Sequence, residues 1–565
     1  MAQTLIGFLT KYPELAVFLV IGFGYLIGSV KVRGFGLGPV TGSLLAGMLL
    51  GYMVEIPVSS TAKSLLFLLF LFAIGYSVGP KFFKAMKGDG LRWALLAVFM
   101  SVSGLVAAYA VARVLKLDVG MAAGLLSGAL TESPAIGTAV EAINALPLPE
   151  AERAVLVAHV AVADALCYVF GALGVILFCS VVGPRLLGID LRAAAEAAEK
   201  AIGYEREKPG VASAWRPFEL RAYRIRSGGT ADGRTVAALE RLLPDQRVFV
   251  ERVRHNGQIL VAAPDLEVVT GDTVVISGPR DVLAEIVGGS GAEEVDDREA
   301  LDIPMASYDV LVNSRDVVGR TLREIADSDL AVRSVFLRAI VRGGQDVPVA
   351  PGVVVERGDV VRLTGPEPAV VRAAEAVGET LYPSDQTDFV TLSLGIVTGA
   401  IIGVLLVVPI GATRIAMGTS VGTLLAGLVT GYLHSVRPRF GRIPEGAVQF
   451  MISIGLAAFV AMIGLSAGPH FVDALRKAGI GLFFGGMVVT SVPLLVGLYA
   501  GRYLLKLDPV LLLGGIAGAQ TMTAGMAAVQ ERSGSPVAVL GYSGTVAIGH
   551  ILLTTWGTVI VKLLS

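Results

Sequence analysis

The sequence predicts a polytopic α-helical membrane protein: two inverted structural repeats, each of about five spans and one re-entrant hairpin, with two small α/β cytoplasmic domains inserted between them. Three observations carry this prediction. The 565-residue chain is 54% hydrophobic and only 16% charged, with a mean hydropathy of +0.71, a composition far too apolar for a water-facing surface. Apolar runs fill residues 4–183 and 388–564, while the stretch between them is soluble in composition. The two apolar blocks, finally, repeat each other's landmarks in the same order.

The predicted domains are residues 1–185 (first transmembrane repeat), 186–210 (linker helix), 211–295 and 296–382 (the two α/β domains) and 383–565 (second transmembrane repeat). A spanning helix needs about 20 apolar residues. The first block offers 12–30, 36–53, 63–80, 91–115, 119–144 and 152–183; the second offers 388–408, 414–433, 446–468, 479–504, 509–531 and 535–562. Lys11 precedes the first segment and no small-residue cleavage site follows, so this segment is a retained helix rather than a signal peptide. Cys167 and Cys179 lie in an apolar run and are expected to be structural thiols.

The duplication is explicit. "GSLLAGMLLGY" at 42–52 matches "GTLLAGLVTGY" at 422–432 at 7 of 11 positions. "IGYSVGPKFF" at 74–83 echoes "IGLSAGPHFV" at 463–472, and "KLD" recurs at 116–118 and 506–508. The Gly-Pro pairs are read as helix ends, with Tyr76, Ser77 and Ser466 as candidate cavity-lining side chains.

Lys and Arg set the orientation. Lys81, Lys84, Lys87 and Arg92 oppose only Asp89 in one loop, and Arg437, Arg439 and Arg442 cluster in another; both loops are placed in the cytoplasm, as is the soluble middle. The chain can then satisfy both halves only if 119–144 enters and leaves from the outer side and 509–531 from the inner side. That gives an odd number of crossings per repeat, an inverted second repeat, and both termini outside.

Each hairpin carries a motif rich in small and hydroxyl residues: "GALTESPAIGTA" at 128–139 and "GAQTMTAGMAAV" at 518–529. Irregular backbone at membrane depth is tolerated only where protein or a water-filled cavity satisfies it. Pro134 enforces a break in the first hairpin, and Thr521, Thr523 and Gly525 supply hydroxyls and backbone freedom in the second. Half-helix N-termini facing each other at the midplane favour small anions, and opposed hairpins from an inverted repeat are an alternating-access arrangement. The candidate substrate-binding residues are therefore Thr131, Glu132, Ser133 and Pro134 on one tip and Gln520, Thr521, Met522 and Thr523 on the other.

Titratable groups at membrane depth are functional candidates by default. Glu132 is suited to an ammonium or a coupling proton; His159, Asp164, Tyr76 and Ser543 are the possible coupling or cavity-lining residues, with His159 a candidate partner of Asp164. His550 is read as a buried, hydrogen-bonded histidine, and Asp118 and Asp508 as caps of their half-helices. The spacing shows no nucleophile–base pair and no metal-ligand set, so the expectation is a non-enzyme without metal or cofactor. A formal net charge of −1 gives no reason to expect nucleic acid.

In the middle, an Ala/Glu-rich stretch at 190–208 predicts a helix, and 211–290 and 303–380 repeat one another. "DGRTVAALE" matches "VGRTLREIA", and "GDTVVISGP" matches "GDVVRLTGP". Alternating runs such as "RVFVERV" predict strands, with helices near 235–243 and 281–287. No GxGxxG or Walker motif is present.

Together, "GSLLAGMLLGY", "GYSVGP" and "GALTESPA" in duplicated halves split by two such α/β units resemble the aspartate–alanine exchanger family, over essentially the whole chain. The middle pair looks like the C-terminal ligand-binding subdomain of potassium-conductance regulators (RCK-C). The resemblance implies a secondary antiporter of the bacterial inner membrane, a homodimer, moving amino acids or dicarboxylates such as aspartate, alanine or succinate, with a regulatory ligand conceivable on the RCK-C-like domains. Two other readings stay open: an RCK-regulated ion channel or cation–proton antiporter, although no TVGYG-type filter is present, and a membrane sensor without transport.

Overall fold

The computed structural model describes the chain except residues 1, 33–34, 37, 86–89, 203–217, 243–247, 280–281, 284–291, 329–333, 343–344, 382–385, 411–412 and 438–439. Lys87, Asp89 and Arg439, the side chain of Lys84, the end of the predicted linker helix at 203–208 and most of the helix expected near 281–287 therefore lie outside the described residues. Contacts divide the chain into two units: Met1–Glu199, Arg342–Val347 and Ser384–Ser565, and Lys200–Val341 with Pro348–Pro383.

The first unit is helical. Its first set is α1 (Ala2–Lys11), α2 (Pro13–Ser29), α3 (Pro39–Met53), α4 (Ser60–Ala85), α5 (Gly90–Leu115), α6 (Val119–Ala129), α7 (Pro134–Asn144) and α8 (Glu150–Leu177), the last running on through a π turn at Phe178–Val182. Its second set is α9 (Phe389–Leu405), α10 (Gly418–Val436), α11 (Glu445–Ala467), α12 (Phe471–Tyr499), α13 (Pro509–Ala519), α14 (Thr523–Ser533) and α15 (Ala538–Leu564). Among the described residues, five helical runs are long and apolar enough to cross a membrane: Ser60–Phe83, Gly90–Leu115, Glu150–Leu187, Glu445–Leu504 and Ala538–Leu564. Helices α2 to α8 recur as α9 to α15; among the described residues α1 has no counterpart.

The recurrence extends to single dihedral angles. Lys116 and Lys506, each just before a "LD" pair, have φ of 53° and 54°; Thr131 and Thr521, at the two tips, have 56° and 55°. Positive φ is costly for a β-branched residue, so this match reflects one tip conformation imposed twice. Its hydrogen bonds match as well: Glu132 N–H bonds Ser127 O and Met522 N–H bonds Ala517 O, both at 2.9 Å.

The paired sequence motifs find their reason in packing. An added Cβ at Gly75 or Gly79 of "GYSVGP" would strike the backbone of α10 at Leu424 or Leu428; at Gly427 or Gly431 of α10 it would strike Phe72 or Tyr76. Across the other pair, Gly464 and Gly468 of "GLSAGP" lie against α3, and Gly47 and Gly51 against α11. Each motif is thus the close-packing partner of the other half's motif, a small-residue crossing. Pro80 does not end its helix as expected: α4 continues to Ala85. Proline cannot donate to the Tyr76 carbonyl one turn earlier, and it is against that carbonyl that Gly431 packs. Tyr76 itself is buried among Phe72, Leu392, Ile443 and Met451, and its hydroxyl accepts from Ile443 N–H at 3.4 Å. It is a packing residue, not a cavity-lining one.

The second unit holds two antiparallel sheets of matching order. In one, Phe249–His255, Thr273–Pro279, Phe218–Ile225 and Ala292–Val295 are successive neighbours; in the other, Phe336–Arg342, Val360–Pro366, Met305–Val312 and Gly378–Thr380. Both break register at the same place, between Val250 and Arg252 and between Leu337 and Ala339. Thr235 and Thr321 each cap a short helix with their hydroxyl.

Candidate functional site

The two hairpins, α6–α7 and α13–α14, are local products of their sequence. Asp118 and Asp508 accept backbone N–H groups at the starts of α6 and α13, satisfying donors that have no intrahelical partner. Pro134 stands at the first position of α7, where its missing N–H costs nothing.

The tips meet directly. Thr131 Oγ1 donates to the Gln520 carbonyl at 3.0 Å, and Thr521 Oγ1 donates to Glu132 Oε2 at 2.9 Å. Glu132 is 0% exposed. Its other oxygen accepts from Thr554 Oγ1 at 2.9 Å and lies 3.3 Å from His550 Nδ1, both on α15. A carboxylate taken out of water is tolerable only when it is hydrogen-bonded or paired, and here two hydroxyls and an imidazole serve it. The side-chain oxygen of Gln520, a residue 1% exposed, has no hydrogen-bond partner among the described residues.

The sequence suggests two equivalent half-helix N-termini facing each other, and the structure leaves only one of them available. At α7, Pro134 offers no donor, Ala135 N–H is bonded to Glu132 O and Ile136 N–H to Ser133 O, and residues 132–139 are buried. Thr138 Oγ1 donates to Thr554 O at 2.7 Å and Thr558 Oγ1 to Thr138 O at 3.3 Å, so α7 is tied to α15. At α14, Gly525 N–H is likewise bonded to Met522 O, but Thr523 and Ala524 are exposed and carry N–H groups, and Met522 is part-exposed. The exposed residues of α14 are Thr523, Ala524, Ala527, Glu531 and Arg532, small, polar or charged, whereas α9 exposes Phe389, Val390, Leu394 and Ile401. The α14 face is therefore of the water-facing kind. The end of α14 remote from the tip, at Ala528, Glu531 and Arg532, lines a cavity of about 610 Å³ together with Arg185 and Arg192.

The remaining candidates are distributed around the tips. Ser133 is buried and caps nothing. Thr523 Oγ1 and Tyr542 Oη lie 2.9 Å apart. Asp164, buried on α8, accepts from Ser127 Oγ of α6 at 2.6 Å. His159 does not partner it: its Nδ1 lies 2.7 Å from Asp118 Oδ2, so Asp118 holds both a helix start and an imidazole. Five residues apart on one helix, His159 and Asp164 point in different directions, since only spacings of three or four bring side chains together. Ser543 Oγ turns back to Leu540 O of its own helix. Thr554, Tyr542 and Thr138 were not evident from sequence, because hydroxyl residues in a membrane helix have a sufficient explanation in helix packing.

A family model for the aspartate–alanine exchangers, described as a predicted permease membrane region, matches residues 16–184 and 391–562, the two helical sets. An uncharacterized transporter of Bradyrhizobium diazoefficiens is 53% identical over 512 residues, covering 91% of this chain and 99% of the relative. One of Bordetella parapertussis is 42% identical over 559 residues (97% and 96%), and one of Shewanella oneidensis 37% over 557 residues (98% of each).

Proposed function

The chain belongs to the aspartate–alanine exchanger family of permeases, and from that premise we propose that it is a secondary antiporter exchanging small carboxylates or amino acids across the bacterial inner membrane by alternating access. The observation that carries the reading is the pair of hairpin tips in contact at a buried carboxylate, with the first turn of α7 buried and that of α14 exposing Thr523 and Ala524. A site gated from two sides requires this arrangement, closed on one side and open on the other.

The two helical sets are read as inverted repeats of five crossings and a hairpin. The first hairpin then enters from outside and the second from the cytoplasm, with both termini external. A zwitterion fits the chemistry at the tips. Its carboxylate is suited to the N-terminal turn of α14, where backbone donors and the helix dipole favour negative charge. Its ammonium is suited to Glu132 and the unpartnered Gln520 oxygen. The α/β domains are read as cytoplasmic RCK-C-like modules that respond to a ligand, and the assembly as a homodimer.

Counterflow tests the reading. Proteoliposomes loaded with unlabelled aspartate, alanine or succinate should take up the labelled compound only when internal substrate is present. A steady potassium or sodium conductance without exchange would replace this reading with the channel alternative.

A further inference from the structure

The duplicated halves make one comparison possible that neither half allows alone. Glu141, near the end of α7, reaches the first turn of α10: Thr419 N–H and Thr419 Oγ1 each donate to Oε1 at 2.6 Å, and Ser420 N–H donates to Oε2 at 3.1 Å. A carboxylate at a helix start neutralises orphan donors and meets the positive end of the dipole. The first hairpin is thereby fastened to a helix of the second half.

The tip alignment of Thr131 with Thr521, extended along α7 and α14, sets Glu141 opposite Glu531. The alignment of "GSLLAGMLLGY" with "GTLLAGLVTGY" likewise sets Gly418 opposite Gly38, and the two glycines share φ of 82° and 81°. The counterpart pair is thus present: the same acid, Glu531, in the second half and the same helix start, α3, in the first. They are apart: Glu531 is exposed and lines the 610 Å³ cavity. The start of α3 has no side-chain cap, and Val40 and Thr41 offer its first-turn N–H groups because Pro39 has none. The contrast is physical at the glycines. A Cβ at Gly418 would run into the Glu141 carboxylate, whereas a Cβ at Gly38 would meet nothing within 4 Å.

We propose that Glu141 and Glu531 are the paired gate residues of the transport cycle. Each positions its own hairpin by capping a helix of the opposite half, Glu141 on α10 and Glu531 on α3, and the two caps form alternately. In the present conformation the Glu141 gate is closed and the Glu531 gate is open. The proposal rests on the exchange reading above, which it deepens by naming what holds each side shut. It also sets an asymmetry: α10 presents two N–H groups and a hydroxyl to its acid, whereas α3 has Pro39 and Val40 where α10 has Thr419 and Ser420, so the second gate closes less firmly.

The test uses the full chain in proteoliposomes with Cys167 and Cys179 replaced by alanine. One variant carries Glu141→Cys with Thr419→Cys, another Glu531→Cys with Val40→Cys. Under oxidation both pairs should form disulfides, the second only when substrate drives turnover, and each bond should stop counterflow until a reductant returns it to the reduced variant's own rate, which lies below wild type because the acid is gone. Separately, Glu141→Gln should expose a cysteine at Ala135 to impermeant thiol reagents roughly fivefold faster from the first-hairpin side, the scale of a lost cap, with Glu141→Asp partly restoring protection. Absence of exchange in the cysteine-free parent would overturn the exchange reading and this proposal with it. Normal exchange with no disulfide between positions 531 and 40, or undiminished exchange with 141 and 419 cross-linked, would overturn the gates alone.

Discussion

Replacing Thr521 by valine isolates the contact on which the tip geometry depends. Thr521 Oγ1 is the described donor to Glu132 Oε2, at 2.9 Å, and Glu132 is fully buried. Valine keeps the β-branched shape and removes the hydroxyl, so a buried carboxylate oxygen loses its donor. Hydrogen bonds to charged groups contribute about 1.5–3 kcal/mol. At about 1.4 kcal/mol per factor of ten, the apposed tips are disfavoured roughly 10- to 100-fold. The initial rate of counterflow should fall by that order, at equal reconstituted protein. Thr521→Ser, which keeps the hydroxyl, should recover most of it. Combining Thr521→Val with Glu132→Gln should give less than the sum of the single effects, because both act on one contact. Exchange within about twofold of wild type in Thr521→Val, or equal impairment in the serine variant, would refute the reasoning.

Other changes probe separate parts of the molecule. Thr131→Ala loses a neutral bond to the Gln520 carbonyl; at about 0.5–1.5 kcal/mol counterflow should slow only some two- to tenfold, and a complete loss would show that Thr131 does more than join the tips. Gly431→Val drives a side chain into the Tyr76 carbonyl of α4; overpacking of about 1–3 kcal/mol should lower the thermal midpoint of the detergent-solubilised protein, and an unchanged midpoint would show that the α4–α10 crossing tolerates separation. In the α/β unit, the Arg254 guanidinium donates to both Asp297 oxygens at 2.6 and 2.9 Å and holds that carboxyl below its ordinary value. A lowered folded-state value means that the stabilisation is present above an unfolded pKa of about 3.9 and fades as pH falls through the folded value. Hydrogen-exchange protection of Phe249–His255 should therefore drop in acid in the wild type; in Arg254→Gln it should already be reduced at neutral pH and change less. Identical pH profiles would remove the ion pair from the account.

The sequence alone determined what depends on composition and short-range chemistry. Membrane class follows from apolar content. Duplication follows from motifs that can be aligned by eye. The hairpin breaks follow from Pro134 and from Asp118 and Asp508, which act within three residues of where they stand. Local reasoning could also have separated His159 from Asp164, since a spacing of five on a helix is not a contact spacing. What only the tertiary structure decided are pairings between residues hundreds of positions apart: Glu132 with His550 and Thr554, Glu141 with the start of α10, and each glycine motif with its partner in the other half. The same holds for the inequality of the two tips. Two local sequences that share Gly, Ala and Thr form nearly identical turns, as Thr131 and Thr521 attest, yet the first turn of α7 is buried while that of α14 exposes Thr523 and Ala524. The turn conformation is local, and the difference in exposure arises from what packs on each arm: α7 is hydrogen-bonded to both α15 and α10, whereas α14 meets α8 and the π turn beyond it on one side only.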